Sequence, residues 1–199
     1  RNNSILSSLV KEQELCHNDL VLPVFVSENA QVPEKIDSMP EIFRWPLHSL
    51  VSKIKEWRDI GISTFALFPQ INNSKKSPAG SEFLKADSLT YRAALEIKAS
   101  VDRVALVGDL ALDPYTSHGH DGVLDYNGVV DNDATVQILA EGAVLAAKSG
   151  YDLVAPSDMM DGRVKAIRDE LDRHNQQNTG ILSYSAKFSS AYYGPFRDA

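Results

Sequence analysis

The sequence contains almost no cysteine, since Cys16 is the only one among 199 residues. A single thiol cannot form a disulfide within the chain, nor can it build a zinc site from several cysteines, so the composition is typical of a reducing compartment. We therefore expect a cytoplasmic protein. An organelle such as a plastid stays open as an alternative, because a targeting segment upstream of Arg1 could have been removed.

Long apolar runs and long basic runs are also missing. No apolar stretch approaches the roughly 20 residues that span a bilayer, so we expect no membrane partner. The net charge is -7, and the longest basic run is the pair Lys75 and Lys76. The sequence therefore lacks the run of basic residues that is typical of a nucleic-acid-binding protein. A small anionic substrate is compatible with the charge, because one or two cations such as Lys187 and Arg197 could bind it locally.

The first nineteen residues carry apolar side chains at near-helical spacing but precede the first strand pattern: Ile5, Leu6, Leu9, Val10 and Leu15. An apolar stripe without a partner element in its own chain usually packs on another surface. We predict that residues 1–19 form an N-terminal arm for oligomerisation and that residues 20–199 form one (β/α) domain. A frayed terminus is the alternative for residues 1–19.

Short apolar runs alternate with helical patterns along the rest of the chain. The runs at 20–26, 64–69, 104–109, 152–156 and 181–184 predict five strands of a parallel α/β sheet. We expect Pro46 to open the first helix of this domain, Asp133 to cap a later one, and the Asn-Gly pair at 127–128 to form a hairpin turn. The pattern does not decide between an open doubly wound sheet and a barrel.

Residues with useful chemistry follow three of these strands. Asp109 and Asp113 follow the third strand, Ser157 the fourth and Lys187 the fifth. The carboxyl ends of parallel strands share one edge, where barrel active sites are assembled, although open sheets obey the same rule. We therefore predict one site at this edge.

Lys187 is the candidate nucleophile of that site. A lysine amine can form a Schiff base with a carbonyl substrate only in its neutral form, which apolar surroundings favour. Small residues precede Lys187, and Phe188, Tyr192 and Tyr193 follow it. These aromatic side chains are expected to exclude water. The alternative is that Lys187 ends a strand and faces solvent.

Three segments together resemble one enzyme family: SYSAKFSSAYYGPFRDA at 183–199, VAPSDMMDGR at 154–163 and DPYTSHGHDG at 113–122. They resemble porphobilinogen synthase, also called 5-aminolevulinate dehydratase. The resemblance implies a (β/α)8 TIM barrel, of which this chain carries about five strands. It also implies a lyase (hydro-lyase) of tetrapyrrole biosynthesis that condenses two molecules of 5-aminolevulinate with loss of water. It further implies a homo-oligomer, namely an octamer, and allosteric regulation.

The same resemblance assigns roles to individual residues. Lys187 is the Schiff-base lysine, and Arg197 binds a substrate carboxylate. Further substrate-binding positions are Asp109, Asp113, Ser157 and Tyr193. A surface ion pair is the alternative for Arg197, and a simple Asp-Pro turn is the alternative for Asp113. A second Schiff-base lysine of the family lies beyond the point where this sequence stops.

The metal requirement is where the sequence departs from the zinc-dependent members. The positions of their three cysteines read Ala111, Asp113 and Asp121 here. Carboxylates favour hard cations, so we expect Mg²⁺ and no zinc, with Asp113 and Asp121 as candidate ligands or a regulatory site beyond Ala199. His118 and His120 with two aspartates are the remaining way to hold zinc.

Two other functions stay open from the sequence. A generic Schiff-base aldolase on the same barrel would share the strand-end lysine but would leave the HGHDG and SDMMDGR segments unexplained. A non-catalytic half-barrel that serves as an assembly partner is the third reading, and the missing second lysine favours it.

Overall fold

A mostly parallel sheet flanked by helices forms the body of the protein in a computed structural model, which describes residues 3–188 and residue 194. The strands of the described part are β1 Val21–Ser27, β2 Glu34–Lys35, β3 Phe43–Pro46, β4 Thr64–Gln70, β5 Ala105–Leu110, β6 Leu153–Pro156 and β7 Gly180–Ile181. The α-helices are α1 Ser4–Leu9, α2 Leu47–Asp59, α3 Leu89–Ser100, α4 Asn132–Lys148 and α5 Arg163–Arg173. The predicted alternation of strands and helices is confirmed.

The order of the strands favours a barrel over a doubly wound sheet. Within the sheet the order is β2-β3-β1-β4-β5-β6-β7, and every neighbouring pair from β1 to β7 is parallel. A doubly wound sheet reverses its order at a switch point, whereas a (β/α) barrel adds each strand beside the preceding one. The described strands form an open arc and do not close.

The turn-rich segment before α2 forms more structure than its prolines indicate. β2 and β3 form an antiparallel pair. In addition β3 pairs in parallel with β1, which the sequence pattern did not predict. Pro46 ends β3 and occupies the N-cap position of α2, so it precedes the helix instead of opening it.

The core lies between the sheet and the inner faces of the helices. It contains strand residues such as Phe65, Leu67 and Leu106, and helix residues such as Ile54 and Ile97, all of them fully buried. Burying a side chain of this size stabilises a fold by about 1.5–3 kcal/mol. The strand ends that carry the polar residues therefore rest on a packed scaffold.

One helix cap differs from the sequence prediction. The N-cap of α4 is Asp131, whose side chain accepts a hydrogen bond of 3.0 Å from the Ala134 amide, and not Asp133. Asp133 lies in the first turn, where a negative charge interacts favourably with the helix dipole. In α5, Ile167 is buried and Val164 is 39% exposed.

The last strand is shorter than predicted, with two residues in place of 181–184. β7 pairs only with β6 among the described strands, and one further hydrogen bond of 2.9 Å joins the Leu182 amide to the Val154 carbonyl. The Asn-Gly turn is present, and it is closed by a bridge between Leu124 and Val130 and not by two strands.

The residues before β1 lie outside the sheet. Helix α1 buries none of its side chains, and all five apolar residues of the predicted stripe are exposed. The arm contacts the domain at His17, whose Nδ1 would lie 2.5 Å from a Cβ atom at Gly61, so a glycine is needed there. The division at residues 1–19 and 20–199 stays a prediction. Within the described residues, no helix is long and apolar enough to cross a membrane.

Candidate active site

The carboxyl ends of β5, β6 and β7 bring the predicted residues together. Register pairs Asp109 on β5 with Ala155 on β6, so Ser157 begins the loop just past Asp109. The Ser157 amide donates a hydrogen bond of 3.3 Å to the Leu110 carbonyl, which fixes the start of that loop. Lys187 arrives from the segment after β7.

The Lys187 amine lies between two acceptors. Its Nζ donates a hydrogen bond to the backbone carbonyl of Ser157, and it lies 3.9 Å from Oδ2 of Asp121. The Lys187 side chain is 25% exposed. Two of its described neighbours are therefore polar, which differs from the apolar surroundings expected from the sequence.

Phe188 does not exclude water from the Lys187 amine, because its own side chain is 81% exposed. The expectation that Phe188 excludes water from the amine is therefore wrong for this arrangement. Tyr192, Tyr193 and Arg197 lie outside the described residues. The roles predicted for Tyr193 and Arg197 stay predictions.

The acidity of Asp109 differs strongly from that of an ordinary aspartate. Burial raises the pKa of Asp109 to about 7, and the negative charges of Asp113 and Asp121 add to the effect. A hydrogen bond from the Ser157 side chain and the positive charge of Lys187 act in the opposite direction. Its Oδ1 is buried without a hydrogen-bond partner in the described part of the chain. A carboxyl group with a pKa near 7 can both donate and accept a proton at neutral pH.

Asp113 lies in a tight turn and in the same electrostatic field. The Leu112 carbonyl accepts hydrogen bonds of 2.9 Å from the amides of both Tyr115 and Thr116, so the Asp-Pro turn considered as an alternative is present. Burial and the nearby charge of Asp121 raise the pKa of Asp113 to about 6, against the lowering effects of Lys187 and Lys76. The turn and a role in the site are compatible.

Asp121 is positioned by close packing behind it. The Leu112 amide donates a hydrogen bond of 3.3 Å to the Asp121 carbonyl. The next residue is Gly122, where a Cβ atom would lie 2.6 Å from Oγ1 of Thr135 and 2.8 Å from Cγ1 of Val130. Only glycine lets the loop lie this close to the start of α4. The HGHDG segment therefore needs its last glycine to place Asp121.

His118 forms hydrogen bonds that join the loop after β4 to the loop after β5. Its Nδ1 accepts a hydrogen bond of 3.2 Å from the His120 amide, so its Nε2 carries the proton and donates one of 3.1 Å to the Pro78 carbonyl. Ser77 and Thr116 form a parallel bridge between the same loops. His118 would have to break these bonds to bind zinc.

The described side chains offer few ligands for a metal ion. Among residues 3–188, no three His, Cys, Asp or Glu side chains are grouped so that they could hold a metal ion. Asp113 and Asp121 supply oxygen ligands and no sulfur. Such a pair fits a hard cation that keeps several waters, as Mg²⁺ does, better than it fits zinc.

Asp158 and Arg163 form a buried ion pair behind the site. Nε of Arg163 lies 3.2 Å from Oδ2 of Asp158, which is fully buried. Burial raises the pKa of Asp158, whereas a hydrogen bond from the Met160 amide and the charge of Arg163 lower it. Of the two methionines in the same loop, Met160 is buried and Met159 is exposed.

Two residues near the site were missed from the sequence. Tyr184 is half-exposed, and burial together with the charge of Asp109 raises the pKa of its phenol. Lys76 is close enough to Asp113 for its charge to act on that carboxyl group. The rule that strand-end loops carry the site could have found both, because Lys76 follows β4 and Tyr184 follows β7.

Comparison with known proteins gives the arrangement a context. The family model for delta-aminolevulinic acid dehydratase matches residues 1–199. The delta-aminolevulinic acid dehydratase of Chlamydia pneumoniae is 41% identical over 199 residues, which are 100% of this chain and 60% of that protein. The chloroplastic enzyme of Hordeum vulgare is 40% identical over 201 residues, covering 100% of this chain and 46% of that protein.

A solved structure is also similar. It is delta-aminolevulinic acid dehydratase (porphobilinogen synthase) of Toxoplasma gondii in complex with the reaction product porphobilinogen. The TM-score is 0.95 at 42% sequence identity, over 99% of this chain and 56% of that chain. This chain therefore spans about half the length of the relatives that it matches.

Proposed function

The chain belongs to the delta-aminolevulinic acid dehydratase family, and we propose that it carries half of a catalytic site that condenses two molecules of 5-aminolevulinate into porphobilinogen. The reaction is a hydro-lyase step of tetrapyrrole biosynthesis. The observation that carries the proposal is the meeting of Lys187 with Asp121 and Ser157 at the carboxyl edge of the sheet.

Lys187 is the nucleophile in this proposal. Its neutral amine attacks the ketone carbon of 5-aminolevulinate, the carbonyl oxygen leaves as water, and a C=N bond to the lysine forms. A proton must leave the nitrogen before the attack, and the Asp121 carboxylate lies 3.9 Å away to stabilise the cation until then. These contacts hold the amine in one position, and a positioned catalytic group lowers the entropic cost of reaching the transition state.

Asp109 supplies acid and base chemistry to the same step. Loss of the carbonyl oxygen as water needs a proton, and a carboxyl group with a pKa of about 7 carries one in a large fraction of molecules at neutral pH. The buried Oδ1 of Asp109 has no partner among the described residues and can bind a polar group of the substrate. Catalysis by a group of this kind is worth typically 10²–10⁴-fold.

Substrate binding is assigned to residues around this centre. Asp113 and Ser157 adjoin Asp109, and we propose that they bind the amino group of one 5-aminolevulinate molecule together with it. Tyr193 would lie against the substrate, and Arg197 would pair with its carboxylate through a planar guanidinium. Joining two substrates in one site replaces an encounter in solution, an effect that can be worth about 7–11 kcal/mol.

Magnesium is the metal that we propose for this protein. Asp113 and Asp121 would hold it within the described residues, or a regulatory site beyond Ala199 would do so. When bound, the ion would supply positive charge and ordered water. The chemistry assigned above to Lys187 and Asp109 uses only groups of this chain.

Assembly and location complete the proposal. We propose a homo-oligomer, an octamer by resemblance to the family, that is built through residues 1–19 and is subject to allosteric regulation. The exposed apolar stripe of the arm supports this, since such a surface is costly in water. We propose a cytoplasmic location, with the plastid as the alternative that the chloroplastic relatives support.

The family match covers the whole chain, including the HGHDG and SDMMDGR segments that a generic aldolase leaves unexplained. A non-catalytic assembly partner remains the rival, because the chain spans about half of its relatives. Incubation of the intact protein with 5-aminolevulinate separates the two. The proposal predicts porphobilinogen, identified by mass, and an assembly partner would release none.

A further inference from the structure

We infer that the buried pair of Asp158 and Arg163 is a positioning device that holds Lys187 against the end of β6. The inference rests on the proposed function, because it concerns how the amine is placed for imine formation. It assigns Asp158 and Arg163 no contact with substrate. They act through two backbone segments, the one that leads to Lys187 and the one that accepts its hydrogen bond.

Arg163 contacts two strand-end loops at once. Its Nη1 donates a hydrogen bond of 2.8 Å to the Met160 carbonyl, in the loop after β6. Its Nη2 donates a longer one of 3.4 Å to the carbonyl of Tyr184, in the segment after β7 that leads to Lys187. A guanidinium can do this because its donors form a rigid planar fork, which a lysine ammonium lacks.

Asp158 fixes the other side of the device. Its Oδ1 accepts a hydrogen bond of 2.7 Å from the Met160 amide, and its Oδ2 lies 3.2 Å from Nε of Arg163. The preceding residue is Ser157, whose carbonyl accepts the hydrogen bond from Lys187. The pair therefore joins the acceptor of the lysine to the segment that delivers the lysine.

Burial makes this arrangement specific. The side chains of Asp158 and Arg163 are 0% and 15% exposed. Moving charged groups out of water is costly, and a pair of this kind adds little net stability compared with well-packed apolar residues. Net stability therefore does not explain why charged residues occupy this position. A role in holding the two functional loops in register does explain it.

The same helix provides a matched control. Arg168 also lies on α5 and also binds two backbone carbonyls, those of Thr179 at 2.7 Å and Gln176 at 3.1 Å. These carbonyls precede β7, at the end of the strand away from the site. Arg168→Lys therefore removes a comparable tether without touching the segment from Tyr184 to Lys187.

The test compares Arg163→Lys, Arg163→Met and Arg168→Lys in the intact protein. Imine formation is measured as the rate at which borohydride traps 5-aminolevulinate on Lys187. Both Arg163 variants should slow trapping by roughly tenfold or more and lower kcat with little change in KM, as expected for a misplaced catalytic group. In Arg168→Lys the trapping rate and kcat should stay within about twofold of those of the unmodified protein. Loss of either tether should lower stability by a similar amount, but only the Arg163 tether positions the amine.

A second readout does not depend on the substrate. Acetic anhydride labels free amines, and the exposed Lys165 serves as the internal reference. Loss of the tether should raise the labelling of Lys187 towards that of Lys165, although imine formation falls. Denaturant unfolding identifies any variant that is not folded.

The outcomes separate the two claims. If the unmodified protein never forms the imine, the proposed function fails, and anhydride labelling then decides the tether alone. Folded Arg163 variants with unchanged trapping and labelling would overturn the inference. Equal losses in Arg163→Lys and Arg168→Lys would overturn it as well, since they would reveal a general structural effect. Full rescue by lysine at position 163 would show that charge alone is needed, which also contradicts a tether.

Discussion

Nζ of Lys187 lies 3.9 Å from Oδ2 of Asp121, although these residues belong to loops that follow different strands. The two loops meet because β5, β6 and β7 are neighbours in the sheet and end at the same edge. The amine therefore lies beside a cluster of acidic side chains. Much of the chemistry proposed above depends on the protonation states of that cluster.

Replacing Asp109 tests its role in proton transfer. Asp109→Asn should lower kcat by about a hundredfold, because an amide cannot exchange a proton with the reacting groups. The pH profile of kcat/KM should also lose an ionisation near pH 7, the pKa to which burial raises this carboxyl group. Steady-state rates from pH 5 to 9 measure both. Asp133→Asn, at the start of α4, is the control, and an Asp109 variant that keeps the ionisation would contradict the assignment.

The same group should make stability depend on pH. The pKa of Asp109 is raised from an ordinary value of 3.8 to about 7, so between these values the folded protein binds more protons than the unfolded chain. Stability contributed by this group is therefore lost as the pH rises through that window. Asp109→Asn should become more stable relative to the unmodified protein between pH 5 and pH 8, by on the order of 1–3 kcal/mol. Urea unfolding at pH 5 and pH 8 measures the free energy of unfolding of both proteins. If the stability of Asp109→Asn relative to the unmodified protein fell from pH 5 to pH 8, the prediction would be wrong.

Catalysis should not depend on zinc, because Ala111, Asp113 and Asp121 provide no sulfur ligand. A zinc-selective chelator should leave turnover of 5-aminolevulinate unchanged. Treatment with EDTA should lower it, and Mg²⁺ should restore it. Recovery by zinc alone would contradict this prediction.

The arm should determine the assembly state. Five apolar side chains of residues 1–19 are exposed, and burying them against another subunit would remove a large apolar surface from water. Deleting residues 1–19 should lower the mass measured by light scattering. Replacing Ile5, Leu9 and Val10 with serine should have the same effect without shortening the chain. An unchanged mass in both variants would exclude the arm as the interface.

The strands and the edge that they share could be predicted from the sequence because short apolar runs and strand-end polar residues are local signals. Asp131 was missed as a helix cap because Asp133, two residues later, is an equally good capping type, and only the backbone decides between them. The pairing of β3 with β1 joins distant segments, so no local pattern predicts it.

The site was predicted less completely than the sheet. Motifs located Asp109, Ser157 and Lys187, but not the polar surroundings of the amine, which arise from the Ser157 carbonyl and the distant Asp121. A backbone carbonyl has no sequence signature. Tyr184 and Lys76 were missed because a single tyrosine or lysine carries no signal until neighbouring loops are placed beside it.

The central claim is that Lys187 forms the covalent link to the substrate, and reductive trapping tests it most directly. The intact protein is treated with 5-aminolevulinate and borohydride, digested and analysed by peptide mass, beside Lys187→Met and the surface control Lys165→Met. We expect a stable added mass on the peptide that contains Lys187, retained in Lys165→Met and lost from that peptide in Lys187→Met while the variant stays folded. A label found only on other lysines would show that Lys187 is not the nucleophile.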